Sequence, residues 1–502
     1  MPKLYIFGIG GTGSRVIKSL TMLLAAGFES KYSIVPIIID PDKTGGDKSR
    51  TEKLLRDYQA IQKEVAGVGV GNFFDTEIST LSQILSRKGV NSNVIDNFSY
   101  EIEGVQNEKF RDFIDYATLD ANNKLLASLL FSEKNLNASL EVGFKGNPNI
   151  GSIVLNQFTK SESFQAFAES FEKGDRIFII SSIFGGTGAA GFPLLLKNIR
   201  KGDVNGKHNA FLKDAIIGAI TVTPYFKVKQ DDDSEIDSHG FITKTKAALH
   251  YYAENVNGNN SINAMYYIGG NTENTYENRE GGKGQKNDAH FVELASALAI
   301  LNFVNIDDHS IPTIDGRASN PLYKVFGIKE TQPQIGFKQL ADYTEAIIKQ
   351  KLSSYFYFNL FLKEKLKDKL NHPYASAYTN KFDSNFLQQF FFTKVTEFNQ
   401  AFRIWLGELH RNKISFSPFD IDLVVNNQHE IIDISIPTQS IFTLVRGYPE
   451  KKSFNPLTLK NYELFIKHLD KAAEKVGEMP VNKRFIGVFE TASNSVLNKK
   501  LF

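Results

Sequence analysis

Short apolar runs alternate with longer amphipathic stretches through the first three hundred residues. Residues 4–7 (Leu-Tyr-Ile-Phe) and 34–39 (Ile-Val-Pro-Ile-Ile-Ile) read as strands, and between them Val16, Ile17, Leu20, Leu23 and Leu24 recur at helical spacing until Gly27. That is a β-α-β unit. Each strand is apolar on both faces, so it belongs in a mainly parallel sheet covered by helices on both sides. The alternation resumes with predicted strands at 176–183, 215–222 and 264–268 and predicted helices at 192–200, 241–255 and 288–304. The fold class this predicts is α/β, with a doubly wound, mainly parallel sheet.

Three stretches depart from that rhythm. Residues 45–140 are more polar, with helix-like segments at 51–64 and 108–131, and read as a helical insertion decorating the sheet. Residues 269–287, rich in Gly, Asn, Glu and Lys, lack periodicity and read as a long surface loop. Beyond about residue 310 come two long helical patterns dense in Phe, Tyr and Leu, 340–370 and 385–411, then strand-like 419–425, 430–435 and 440–445. The expected division is therefore a domain over 1–310 and a helix-rich α+β domain over 311–502. The aromatic density of its helices reads first as core. No internal repeat or sustained heptad pattern is present.

Composition narrows the functional classes. With 502 residues and 42% hydrophobic content the chain can fill sizeable cores. Lys plus Arg (58) nearly balance Asp plus Glu (56), so a formal charge of +2 gives no general reason to bind nucleic acid or an anionic membrane. The absence of cysteine excludes disulfides, thiolate zinc sites and cysteine nucleophiles. No apolar run approaches the ~20 residues of a spanning helix, and the first residues carry no secretion-signal pattern, so a cytoplasmic protein is expected.

The candidate chemistry lies in two glycine-rich turns, each following an apolar strand and opening a helix: Gly8-Ile-Gly10-Gly11-Thr12-Gly13-Ser14, and Gly185-Gly186-Thr187-Gly188-Ala189-Ala-Gly191. Such turns let backbone N–H groups approach an anion with no Cβ in the way, and the helix N-terminus adds partial positive charge. Phosphate is the natural ligand. The first turn alone fits dinucleotide-binding and adenylating folds equally well. Two turns in one sheet suggest a triphosphate gripped from both sides. Neither is a P-loop, since no Gly-x-x-x-x-Gly-Lys-Ser/Thr occurs. The hydroxyls of Thr12, Ser14 and Thr187 also suit capping of their own helices.

Three further segments join these turns in order: Asp40-Pro-Asp42 after the second strand, Gly143-Phe-Lys-Gly146-Asn147-Pro-Asn-Ile-Gly151, and Val222-Thr-Pro224-Tyr-Phe226. Together the five motifs, over roughly residues 1–226, resemble those of the tubulin/FtsZ superfamily, and more closely its distant bacterial tubulin-like members. The resemblance implies a guanine nucleotide (GTP or GDP) at the carboxyl ends of the strands, with Mg²⁺ at the phosphates and no metal site of the protein's own. Gly8 to Ser14 would cradle the α and β phosphates. Gly185, Gly186, Thr187, Gly188 and Ala189 would grip from the other side. Gly146, Asn147 and Gly151 would sense the γ-phosphate, and Asp40 or Asp42 would lie near the ribose or the metal. Pro224 belongs to the matching strand end. For the base, Asn271, Asn287 and His290 are the nearest candidates.

The same resemblance implies catalysis from an acidic loop that enters the next subunit's pocket in a filament. Here that loop is Asn305-Ile-Asp307-Asp308 after the 288–304 helix, with Ser310 where a second acid is expected. The expected function is a guanine-nucleotide-binding protein, a GTPase that self-associates head to tail. Two alternatives stand beside it. One is a nucleotide-gated scaffold without turnover. The other is an adenylating enzyme resembling the ThiF group, which shares the first turn and the Asp-x-Asp, with Arg50 near its activating arginine, but leaves the later loops unexplained.

Overall fold

The computed structural model describes residues 1–502 apart from 68–72, 142, 145, 205, 230–237, 271–273, 277–281, 283, 285, 326–332, 438–439 and 452–460. Strand β1 (Lys3–Ile9) leads without a loop into helix α1 (Gly10–Ala25), and β2 (Ser33–Ile39) returns beside β1. Helix α2 (Gly46–Val65) follows. Then come β3 (Arg176–Ser182), α3 (Gly186–Lys201), β4 (Ile216–Val222), α4 (Ser238–Tyr252), β5 (Ala264–Ile268), α5 (Phe291–Val304) and β6 (Leu322–Val325). All six strands form one parallel sheet, in the order β6-β5-β4-β3-β1-β2. The doubly wound α/β class read from the sequence is the class observed.

Every residue of β1, β2 and β3 is buried, which is what the two-sided apolar runs required. One core packs on the sheet face that carries α1 and α5 and continues into the C-terminal helices; the other lies on the face that carries α3. The sheet takes its last strand from beyond residue 310: β6 pairs with β5 over only four residues, too short a run to announce itself. Helix α3 opens six residues before the predicted start, because its first turn is written in glycines of low intrinsic propensity.

The polar stretch after β2 is in part structural. Leu54, Leu55, Tyr58 and Ile61 of α2 are buried between α1 and the C-terminal helices, with Tyr58 6.2 Å from the ring of Phe398. Further on, parallel bridges Ile34–Ile78 and Ile38–Ser99 extend the β2 edge. The predicted 108–131 helix is two pieces, Phe110–Phe113 and Ala121–Leu130.

The C-terminal region is built on α6 (Asp342–Glu364), α7 (Phe390–Arg411), α8 (Asn461–Val476) and α9 (Val481–Lys500). Tyr355, Phe356, Tyr357 and Phe358 are all buried, so the aromatic density of α6 is core. Short strands lie at Asp422–Val425 and Ile431–Ser435. The predicted strand at 440–445 is instead a single helical turn, Ile441–Thr443. Ile441, Phe442 and Leu444 are all buried there, so the turn is packed into the core.

Candidate functional site

In a sheet of this order the winding direction reverses between β1 and β3, and ligands bind outside the carboxyl ends of the strands at that switch point. Both glycine turns sit there. Gly10, at φ +71°, makes the bend from β1 into α1, a conformation costly for any residue with a Cβ. A Cβ on Gly13 would stand 2.4 Å from the carbonyl carbon of Gly8, so these two glycines let the helix close onto the strand. Gly188 does the same for the second turn, where a Cβ would lie 2.5 Å from Ser182 O. Neither α1 nor α3 has a side-chain cap, so their first N–H groups and dipoles point, unpaired by any cap, into the space between the turns.

The turns face each other and a third loop closes on them. A Cβ built on Gly10 would come within 3.7 Å of Thr187 Cβ. One built on Gly186 would meet Asn147 N at 2.8 Å and Gly146 C at 3.2 Å. Gly151 packs the Pro148–Val154 helix onto α3, with Gly186 O 2.8 Å from its would-be Cβ. Gly10, Gly11, Gly146, Asn147, Gly185 and Thr187 remain half-exposed around the gap.

The other candidates of these loops point elsewhere. Ser14 is fully buried; its hydroxyl donates to Gly10 O at 3.4 Å, and its carbonyl accepts from the Thr51 hydroxyl at 3.1 Å. Thr12, also buried, accepts from Arg15 Nη2 at 3.4 Å. Ala189 is buried and its carbonyl accepts from the Tyr252 hydroxyl at 3.2 Å. Pro224 is half-buried between β4 and Tyr225.

Asp40 and Asp42 are held differently. Burial pushes the Asp40 carboxyl up to about 7 against the opposing pull of the Asp42 N–H and Lys48, with Asp42 and Asp47 adding to the rise. Asp42 is saturated: Oδ1 accepts from Thr44 N (2.9 Å) and Thr44 Oγ1 (3.1 Å), and Oδ2 accepts from Gly282 N (2.6 Å). Asp42 thereby ties the 269–287 loop to the end of β2. Among the described residues no three His, Asp or Glu side chains are gathered to hold a metal ion.

Below the first turn lies a buried ionic chain that the sequence did not disclose. Arg15 Nη1 donates to Asp47 Oδ2 and Nε to Glu293 Oε1, both at 2.5 Å, while Nη2 donates to Tyr225 Oη at 2.8 Å and Tyr225 donates on to Glu293 at 2.6 Å. Arg50 joins Asp47 (2.5 Å) to Glu408 of α7 (2.8 Å), and Lys18 reaches the same Glu408 at 2.6 Å. Burial alone would raise Glu408, but Lys18 and Arg50 hold it down at about 2. The local signal is slight: Arg15, Lys18, Glu293 and Glu408 are isolated charges among apolar neighbours on their helices.

The base candidates border this chain. Asn287 donates its N–H to Asp47 Oδ1 (3.2 Å), and its carbonyl accepts from Arg50 (2.7 Å). His290 is 1% exposed and caps α5, its Nδ1 accepting from Val292 N at 3.1 Å. The proton therefore sits on Nε2, which is buried without a partner, and burial with Arg15 nearby lowers the imidazole to about 4. Asn271 lies outside the described residues.

Helix α5 runs from this cluster to the opposite end of the sheet, so its 14 residues separate Asn305, Asp307 and Asp308 from the glycine turns by about 20 Å. Asn305 Nδ2 donates to Leu301 O at 2.9 Å, Asp307 Oδ1 accepts from His309 N at 2.9 Å, and Asp308 pairs with Arg176. The glycine turns come together; the acidic segment does not join them within one chain.

No family model matches this chain, and no curated protein matches it. Solved structures do. CetZ from Methanosaeta thermophila strain DSM 6194 is 12% identical, with a TM-score of 0.27 over 60% of this chain and 51% of that one. The protofilament of TubZ from Bacteriophage PhiKZ is 13% identical, with a TM-score of 0.25 over 61% and 56%. CetZ2 from Haloferax volcanii, a GTPγS-bound protofilament, is 10% identical, with a TM-score of 0.30 over 72% and 72%. The chain thus spans about half the length of the first of these. Among the described residues no helix is long and apolar enough to cross a membrane.

Proposed function

We propose that this chain is a tubulin-like guanine-nucleotide-binding protein that self-associates head to tail, with hydrolysis completed by the neighbouring subunit. The observation that carries the reading is the close approach of Gly10 to Thr187 and of Gly186 to Gly146–Asn147 at the β1/β3 switch point, where an added Cβ would stand 3.7 Å from Thr187 Cβ and 2.8 Å from Asn147 N. Three backbone loops there surround one gap, with two 16-residue helices aimed into it. Such a cradle suits a chain of phosphates. Guanine rests on the order of the five motifs.

Mg²⁺ fits as a nucleotide-borne ion. With no three-ligand group among the described residues, the phosphates and waters would supply its coordination, the usual arrangement for this hard, strongly hydrated cation. When bound it would offset charge on the terminal phosphates. Polarity supports head-to-tail assembly: the Asp307–Asp308 turn lies a helix length away from its own glycine turns, so it would meet a γ-phosphate in a neighbouring subunit.

A scaffold without turnover is the second reading, favoured by the fact that Asn305, Asp307 and Asp308 each bond within their own chain. The adenylating reading loses ground, since Arg50 is spent on Asp47, Glu408 and the Asn287 carbonyl. Mass spectrometry of the co-purifying nucleotide, with sedimentation and phosphate release on GTP, tests the proposal. GDP or GTP should be recovered, pelleting should need GTP, and Asp307→Ala should abolish phosphate release. Recovery of ATP or NAD would refute the guanine reading; monomers without turnover in GTP would leave the scaffold.

A further inference from the structure

The two aspartates at the foot of α5 are not equivalent, and Arg176 is what separates them. Arg176 opens β3 at the amino edge of the sheet and is 1% exposed. Its Nη1 donates to Phe303 O at 2.8 Å and its Nη2 to Ile306 O at 2.6 Å, carbonyls on either side of the point where α5 ends. The same Nη2 pairs with Asp308. The guanidinium lies 5.5 Å from the Tyr32 ring and 5.2 Å from that of Phe303, which holds its plane fixed. Its Nε is buried with no acceptor. A buried arginine with an unpaired donor is weak evidence for stability, since an apolar residue of similar volume often serves as well.

We propose that Arg176 is the positioning residue of the acidic turn, fixing its exit from α5 and engaging Asp308 so that Asp307 is left to orient the attacking water in the neighbouring subunit. The inference rests on the in-trans hydrolysis reading above. Asp307 spends one oxygen on its own turn, through the His309 N–H, and keeps the other for a water. In the step it serves, the water oxygen bonds to the γ-phosphorus as the bond to the β–γ bridging oxygen breaks. The water proton passes through Asp307 to the released phosphate, leaving GDP and inorganic phosphate. β3 also carries Ser182 and the second glycine turn at its far end, so one rigid strand holds both the acidic turn and a phosphate loop.

The test is steady-state phosphate release by full-length Arg176→Met, Arg176→Lys, Asp308→Asn and Asp307→Ala, beside GTP affinity by titration. A small misplacement of a catalytic group costs on the order of 10²-fold in rate, so Arg176→Met should lose about that much in kcat with GTP affinity unchanged. Lysine keeps the charge but not the fork of donors, so Arg176→Lys should recover only part of it. Asp308→Asn should fall less than Asp307→Ala, which should be inactive. If Arg176→Met does not fold, the lysine variant and Asp308→Asn carry the test. Wild-type kcat in Arg176→Lys and Asp308→Asn, or an Asp308→Asn as inactive as Asp307→Ala, would overturn the proposal while the in-trans reading stands. Full turnover by Asp307→Ala would instead remove the in-trans reading, and the proposal with it.

Discussion

Gly10 faces Thr187: a Cβ built on the glycine would come within 3.7 Å of the threonine Cβ, so the turn after β1 and the turn after β3 border one gap. The two residues are 177 positions apart in sequence yet share one gap, because β1 and β3 are neighbours in the sheet. That adjacency brings two turns of a generic anion-binding pattern to one place.

Loop closeness can be tested at Gly186. Gly186→Ala places a methyl 2.8 Å from Asn147 N and 3.1 Å from Phe144 Cβ, so the 143–151 loop must retreat. GTP affinity should fall by about 10-fold or more, with a smaller effect on GDP, as read by fluorescent-nucleotide titration. Equal affinity for both nucleotides in wild type and variant would argue against a γ-phosphate role for Asn147.

The Lys18–Glu408 contact joins α1 to α7 in the interior. Glu408→Ala leaves Lys18 and Arg50 without their shared carboxylate, and breaking a buried pair on one side costs about 3–5 kcal/mol. Denaturant unfolding should show that loss, and Lys18→Met on the same background should recover part of it. The pH dependence has a definite sign. Glu408 is held at about 2 in the fold against 4.5 unperturbed, so its contribution is present above about pH 4.5 and lost as pH falls towards 2.

Asp40 has the opposite sign. Its folded carboxyl is raised to about 7 from 3.8, so the neutral form is favoured and its contribution is full below about pH 4 and lost as pH rises through 7. Asp40→Asn should match wild type near pH 4 and be the more stable protein at pH 8 by thermal unfolding. An unchanged difference between the two across that range would contradict the assigned state of Asp40.

Magnesium should bind only with nucleotide. Calorimetric titration of MgCl₂ into nucleotide-free protein should give no saturable heat, in keeping with the absence of a three-ligand group among the described residues, whereas the same titration with GTP present should saturate. Tight Mg²⁺ binding without nucleotide would point to a protein metal site.

The chain's local order was written in its sequence. Two-sided apolar runs gave β1 to β5, and glycines marked both strand-to-helix turns, because propensity, periodicity and backbone freedom act over a few neighbouring residues. Strand β6 escaped notice for the same reason: four residues carry little local signal, and only pairing with β5 defines them. Tertiary structure alone decided what depends on long-range closure. Arg15 meets Glu293 across 278 residues and Lys18 meets Glu408 across 390, so nothing local marks these charges as buried and paired. It also decided the division between the two aspartates, since Arg176 stands 132 residues before Asp308 and reaches it only when the sheet brings the start of β3 under the end of α5.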